Sequence, residues 1–340
     1  MDLNPSFVEG ESPSVRRNIY TLTLNPSIDY SFYIPSIKFD DINRIVKSRI
    51  DPGGKGINIT RMLFKLGDKS IPITFHTDKD NIYKNLLEKE GIKPFYIKIK
   101  GRIRNIYNFI SDDGKILRFN EKGPEISQKE KGIFFNQIKN LSLKKGDIFV
   151  ISGSLPDGFE KNTYRKIVEI VKKADVITFV DADGEILKEA IKGCPYIIKP
   201  NLWELERATG EKVKDGEKLI GVIKDLFGKN IEIVILTLGE KGAIIFKKGK
   251  ILYGKAEKVK VKSTVGCGDA FVAGFLYNFK RGKKMSECLS LAVACGTAKA
   301  KEEGTKMPEK EDVLKIMKKV KVKEVNKEWI LKFSFSNRGG

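Results

Sequence analysis

The chain has 340 residues, with 64 Lys and Arg against 44 Asp and Glu, giving a formal net charge of +20. Hydrophobic residues make up 41% and charged residues 32%, which excludes a disordered tail protein and fits one large globular unit, or a large domain carrying a smaller one. Apolar runs break well before the roughly 18 residues a membrane span needs, so no transmembrane helix is expected.

The first residues, 1–17, contain Pro5, Pro13 and several acids. They lack the charged-then-apolar layout of a secretory signal and read as a flexible extension. Cys194, Cys267, Cys288 and Cys295 have neither metal-ligand spacing nor the density of a disulfide scaffold, so a reducing cytoplasm is the expected compartment. The positive charge invites a nucleic-acid reading, but its distribution opposes one. Lysines recur on nearly every predicted helix and loop, and the most basic stretch, 307–332, interleaves Glu309, Glu311, Asp312, Glu324 and Glu328.

In chain order, residues 19–24 read as a buried strand. Residues 57–67 read as a helix, because Ile59, Met62, Leu63 and Leu66 recur at i, i+3, i+4 and i+7 before Gly67. Apolar runs at 147–152, 176–181, 196–201 and 231–239 end in polar or glycine-containing turns, with helical patterns between them. This α/β alternation implies a parallel sheet covered by helices on both faces. Two stretches break it: 30–49, and 95–119 with its Ser111-Asp112-Asp113-Gly114 turn. Both read as short strands joined by tight turns, expected to meet as a small β lid over the ligand edge. The main α/β domain is then 18–29, 50–94 and 120–325, with a tail at 326–340.

Ligands of open α/β sheets bind beyond the carboxyl ends of the strands, and polar residues gather there. Asn25 and Asp29 follow the first strand, Ser152 and Ser154 the next apolar run, then Asp181 and Asp183, Asn201 and Glu204, and Thr237 and Gly239. Any one of these can be a turn or cap residue; five strand ends together describe a binding edge. The sharpest signal is STVGCGDAFVAG, 263–274. Gly266 and Gly268 let successive amides point at one spot, and the following helix adds positive potential there, which suits a phosphoryl group. Asp269 at that helix start can be a cap or, beside an anion nest, the acceptor of a proton from an attacking hydroxyl. Neither standard nucleotide motif is present. GGKG at 53–56 lacks the P-loop spacing, and Phe271 stands where a dinucleotide fingerprint needs glycine.

These residues resemble the ribokinase-like carbohydrate kinases, the phosphofructokinase B family, over about 19–320. STVGCGDAFVAG looks like the family's C-terminal signature and PGGKGIN, 52–58, supports it. TLNPSID (23–29), NRI (43–45), SGSLPDG (152–158), KPNLWELE (199–206) and TLGEKGA (237–243) resemble the hexose-phosphate branch, which includes 1-phosphofructokinase, tagatose-6-phosphate kinase and the minor 6-phosphofructokinase. The resemblance implies a three-layer α/β sandwich with a mostly parallel central sheet and a small β-sheet lid. It implies that Asp269 is the catalytic base and that the amides of Gly266, Cys267 and Gly268 form the anion hole. It places Asp29, Gly54, Lys55 and Asn58 on the sugar, with Ser154, Arg104, Arg44 and Arg118 near its existing phosphate, a task suited to the bidentate guanidinium. Lys199, Asn201, Glu204, Thr237, Gly239 and Thr264 fall to the nucleotide. Asn201 and Glu204 would order Mg²⁺ through water around the ATP phosphates.

The implied activity is ATP-dependent phosphorylation of fructose 1-phosphate or tagatose 6-phosphate to the 1,6-bisphosphate, with a small-molecule sugar phosphate as partner and a homodimer formed through the lid. Two departures keep other readings open. Cys267 replaces the usual alanine, and Ala270-Phe271 follows the aspartate where many hexose-phosphate kinases have serine-methionine. A helix N-terminus can lower a thiol pKa, making Cys267 either a reactive thiolate or a small buried side chain. The alternatives are a 6-phosphofructokinase, a kinase of an unphosphorylated sugar or nucleoside, and, on charge alone, a nucleic-acid-binding protein.

Overall fold

The computed structural model describes residues 17–79, 81–255 and 257–335. Its first half comprises strands β1 (Ile19–Thr23), β2 (Ser27–Ile34), β3 (Lys47–Gly53), β4 (Ile71–His76), β5 (Phe95–Lys98), β6 (Arg104–Ser111), β7 (Ile116–Asn120) and β8 (Ile148–Ser152). Helices α1 (Lys55–Lys65), α2 (Asn81–Lys89) and α3 (Gln128–Lys139) lie among them. The second half opens with α4 (Thr163–Val171), β9 (Ile177–Asp181), α5 (Gly184–Ile191), β10 (Ile197–Ile198), α6 (Leu202–Thr209), α7 (Gly216–Gly228) and β11 (Ile233–Thr237). It closes with β12 (Ala243–Lys247), β13 (Lys250–Lys255), α8 (Cys267–Phe279), α9 (Met285–Ala300), α10 (Lys310–Met317), β14 (Lys321–Val325) and α11 (Lys327–Lys332).

The large sheet runs β14-β13-β12-β11-β10-β9-β8-β1-β4-β5. Every neighbouring pair from β5 to β11 is parallel, and β12 to β14 add an antiparallel edge. Alternation along the strands sorts the core into two layers, because successive side chains leave opposite faces. Leu22, Phe149 and Ile151 pack with Phe134, Tyr164, Leu205 and Ile330 on one face. Ile19, Ile148 and Val150 pack with Met62, Phe275, Leu289 and Val313 on the other. Helix α1 carries the expected stripe, with Ile59, Met62, Leu63 and Leu66 all buried. Helices α8 and α9 approach closely at Gly274, where a Cβ would stand 2.7 Å from Cys295 Sγ and from the Leu291 carbonyl oxygen.

The small sheet runs β3-β2-β6-β7. Its register places Ser27, Asp29 and Ser31 of β2 beside Arg104 and Asn108 of β6, and beside Asp51 and Arg49 of β3, on one polar face. The other face aligns Ile50, Tyr30, Tyr107 and Phe119 in one row, and Phe32, Phe109 and Leu117 in the next. Ring centroids along it lie 5.3 Å apart for Phe32 and Phe109 and 5.4 Å for Tyr30 and Tyr107. Several boundaries differ from the sequence reading. Strands β2 and β3 extend the small sheet to Ser27 and Gly53, into the stretches 18–29 and 50–94 expected in the main domain, because their pairing continues past the expected ends of the lid. Residues 95–98 belong to the large sheet, where β5 pairs with β4; so short an apolar run cannot say which sheet receives it. The tail from 326 is folded at least to residue 335, because Ile330 is buried and Trp329, Phe333 and Phe335 stack along the edge beside Tyr253. Residues 1–16 of the proposed extension and 336–340 of the tail lie outside the described residues.

Candidate active site

The site begins where β1 hands over to β2 and α1 starts beside it. Gly54 caps α1 at φ +111, and a Cβ there would lie 2.5 Å from Thr23 Cγ2. At Gly56 a Cβ would meet Thr23 Oγ1 at 2.5 Å and the Leu22 carbonyl oxygen at 2.8 Å. The glycines of 53–56 therefore let α1 press its first turn against the end of β1, with the Ile57 amide donating to Thr23 Oγ1. This docking aims Lys55 and Asn58 across the sheet edge. Asp29 is held nearby by a 2.6 Å hydrogen bond from Ser27 Oγ, and burial raises its pKa to about 6 against the pull of Ser27 and Arg61.

Helix α8 opens at Gly266, whose φ of +77 is in the left-handed region that glycine tolerates. Asp269 sits in its first turn, buried, and accepts from Asn58 Nδ2 at 2.8 Å. Burial raises its pKa to about 6; Lys55 and the Asn58 bond oppose the rise and Asp181 adds to it. A carboxylate with such a pKa is ionised near neutrality yet more basic than an ordinary aspartate. The three amides of the turn are not equivalent, since Cys267 N donates to the Thr264 carbonyl over a long 3.3 Å. The surroundings of Cys267 favour the small buried side chain over the reactive thiolate. Burial pushes the thiol up to about 11, and Sγ leans on the Ser263 carbonyl at 3.6 Å. Ala270 and Phe271 are buried among the core residues around α8, so they belong to helix packing rather than to the exposed sugar edge.

Asp181, at the end of β9, joins the two halves of the edge. Its Oδ1 lies 3.3 Å from Lys55 Nζ and 3.2 Å from Lys199 Nζ. Burial works against its charge, but the two lysines hold its pKa below the ordinary carboxylate value. Lys55 shows the complementary balance: burial opposes its charge, and Asp181, Asp269 and Glu204 outweigh it, raising its pKa. Asn201 and Glu204 form a reciprocal cap on α6, each backbone amide donating to the other's side chain at 2.8 Å. Burial raises the Glu204 pKa. Thr237 is bridged to Asn201, and Gly239 and Thr264 are exposed on the same edge. For a magnesium ion the donor set fits in one form. Asp181 Oδ2 is buried with no partner and Glu204 stands close enough to raise the Lys55 pKa, but no group of three His, Cys, Asp or Glu side chains could hold a metal among the described residues. Such oxygens suit an ion brought by nucleotide phosphates and reached through water.

The arginines assigned to the sugar phosphate divide. Arg104 is half-buried beside Asp29, donating to the Asn25 carbonyl oxygen at 3.3 Å, with its Nε unpartnered. Arg118 donates to Asn108 Oδ1 at 2.8 Å and lines a narrow cleft with Ser263, Val265, Gly304 and Thr305. Arg44 stands exposed on the connection between β2 and β3. Ser154 is exposed and accepts from Asn25 Nδ2 at 3.1 Å. Sequence reasoning placed Asp181 and Asn25 at strand ends without giving them a role. The available signal was an aspartate ending a mostly apolar strand, a costly burial unless cations face it.

The sequence pattern of the pfkB family carbohydrate kinases matches residues 22–312. The chain is 33% identical over 310 residues to the 1-phosphofructokinase of Borreliella burgdorferi, covering 90% of this chain and 99% of that protein. It is 33% identical over 311 residues to the tagatose-6-phosphate kinase of Staphylococcus epidermidis, covering 90% and 100%. The crystal structure of phosphofructokinase-2 from Escherichia coli in complex with substrates and products superposes with a TM-score of 0.83 at 26% identity, covering 89% and 99%. With its signature turn, aspartate and lysines gathered on one sheet edge, the chain belongs to the pfkB family of carbohydrate kinases, phosphotransferases whose acceptor is an alcohol group.

Proposed function

We propose that the protein transfers the γ-phosphoryl group of ATP to fructose 1-phosphate or tagatose 6-phosphate, giving the 1,6-bisphosphate. The observation that carries this reading is Asp269, buried in the first turn of α8, bonded to Asn58 and within the field of Lys55. The free primary hydroxyl of the sugar attacks the γ-phosphorus in line and its proton passes to Asp269. The new O–P bond forms as the bond to the β-phosphate oxygen breaks, and that electron pair leaves with ADP. The amides at 266–268 and the positive end of α8 face the phosphoryl oxygens, where charge must be stabilised without reorganisation. Lys55 and Lys199, braced by Asp181, sit where the nucleotide's phosphates must pass. Asn201 and Glu204, with Asp181 beside them, would hold a magnesium ion through water, and the ion would neutralise phosphate charge. Asp29 and Asn58 orient the sugar hydroxyls, and Arg104 receives the existing phosphate.

The outer face of the small sheet supports pairing with a second copy. Phe119 is 53% exposed and Ile50 44%, at the two ends of one aromatic row. Contiguous apolar surface of this kind marks an interaction site.

The test is ADP release with magnesium and ATP against fructose 1-phosphate, tagatose 6-phosphate, fructose 6-phosphate, fructose, ribose and adenosine. Turnover is expected for fructose 1-phosphate or tagatose 6-phosphate above the others. Turnover of neutral acceptors alone would sink the reading, because Arg104 would then have no phosphate to meet.

A further inference from the structure

Lys299 lies in the last turn of α9 and is completely buried, more so than any other described lysine. Its ammonium donates to the Gly304 carbonyl at 2.8 Å. Burial lowers its pKa, and the groups that offset this, Cys267, Glu302 and Asp51, act across space rather than through a bond. An ammonium is the costliest way to fill a core position when no carboxylate pairs with it; methionine would fill the same space at little cost.

Its location explains the choice of residue. The chain entering the glycine turn rests on the carboxyl end of α9, since Lys262 N and Ser263 N donate to the Ala300 carbonyl at 2.8 and 3.3 Å. A Cβ built on Gly266 would stand 3.5 Å from Lys299 Cε. A helix carries partial negative charge at its C-terminus. In this protein that end lies directly beneath the turn whose amides have to receive an anion, so an uncompensated α9 would oppose the positive end of α8. The link continues beyond Lys299. The Thr305 carbonyl, one residue after Gly304, accepts from Arg61 at 3.1 Å, and Arg61 is paired at 3.0 Å with Asp51 of the small sheet.

We infer that Lys299 is a positioning residue for phosphoryl transfer: its buried ammonium cancels the negative end of α9 under the 266–268 turn and, through Gly304, holds the 304–305 segment that lines the cleft beside Ser263 and Val265 at the entry to that turn. The inference rests on the kinase reading given above.

The experiment compares the parent enzyme with Lys299→Met and Lys299→Ala, using thermal melts to confirm folding. Lys299→Met keeps the volume and removes the charge. Its kcat is expected to fall about tenfold or more, with the KM for the sugar phosphate little changed, because the charge acts on the transferring group. In Lys299→Ala, methylammonium is expected to restore kcat saturably, whereas tetramethylammonium at equal ionic strength is too large to enter. The inference is overturned if kcat of Lys299→Met stays within about twofold of the parent, the range of an ordinary surface change, or if Lys299→Ala is indifferent to methylammonium. A parent with no turnover on any phosphorylated hexose would remove the kinase reading and this inference together. An active parent with indifferent variants would remove only Lys299.

Discussion

The carboxyl edge of the large sheet and the polar face of the small sheet both carry charged side chains toward the same site, but they hold them differently. On the large sheet the groups are fixed by buried partners: Asn58 on Asp269, Lys55 and Lys199 on Asp181, Asn201 and Glu204 on each other. On the small sheet Arg49 meets Asp51, itself buried, much as Lys55 meets Asp181, but at its flanks Arg102 pairs with Glu121 at 63% and 26% exposure and Arg44 is exposed. Exposed pairs contribute little and are cheaply exchanged. The part to which our proposal gives the phosphoryl group is thus assembled in advance, as electrostatic catalysis requires, and the part to which it gives the sugar keeps cations available for a phosphate.

The strongest challenge to that contrast is Asp269→Asn. Losing a general base costs about 10²–10⁴ in rate, and the asparagine preserves a partner for Asn58, so kcat should fall by about three orders of magnitude with ATP affinity nearly intact. The same residue gives a pH signature. Its pKa is raised to about 6 in the fold from 3.8, so the folded state favours the protonated acid. Stability from this group is fully present below the unfolded value and is lost as pH rises through about 6, while activity runs the opposite way because the base must be ionised. The kcat/KM profile of the parent should therefore rise through about pH 6. The variant should lose the part of that rise due to Asp269 and be at least as stable as the parent above pH 6. Near-normal kcat in Asp269→Asn would remove the preassembled base from the account.

The sequence made the catalytic half legible because its chemistry is local. Gly266, Gly268 and Asp269 lie within four positions, and GGKG precedes a helix whose Ile59, Met62, Leu63 and Leu66 stripe fixes which way Lys55 and Asn58 point. Asp181 and Lys299 were less visible, since their meaning depends on partners far along the chain: Asp181 meets Lys55 across 126 positions. The boundary of the small sheet was blurred for a related reason. A short apolar run such as 95–98 states that it is a strand, but the edge it joins is decided by the tertiary packing around β4.

Arg104 tests the sugar-reading half. It already stands beside Asp29 with an unpartnered Nε, so it needs little rearrangement to take a phosphate oxygen. A hydrogen bond to a charged group contributes about 1.5–3 kcal/mol, so Arg104→Ala should raise the KM for the phosphorylated hexose about ten- to a hundredfold while kcat changes much less. An unchanged KM, measured by steady-state kinetics, would mean the phosphate lies elsewhere and would make Arg118 the next residue to examine.

The smallest effect on chemistry belongs to the outer face of the small sheet, where the contrast lies within one element. Its polar face lines the cleft beside Ser263 and Gly304, and its aromatic face, two residues of every four along the same strands, points away. Ile50→Glu with Phe119→Glu changes only exposed side chains at the ends of the aromatic row, so the monomer's own stability should shift by no more than about 0.5 kcal/mol per site. Sedimentation equilibrium should show a dimer for the parent and a monomer for the double variant, with kcat retained to within a few-fold. A monomeric parent, or a double variant that remains paired, would show that the aromatic row does not hold two copies together. If the variant became monomeric and also lost its kcat, pairing would be needed to hold β2 and β6 in register. The polar face would then be a product of the interface rather than of the single chain, and the division between a preassembled half and an adaptable half would have to be drawn between two subunits.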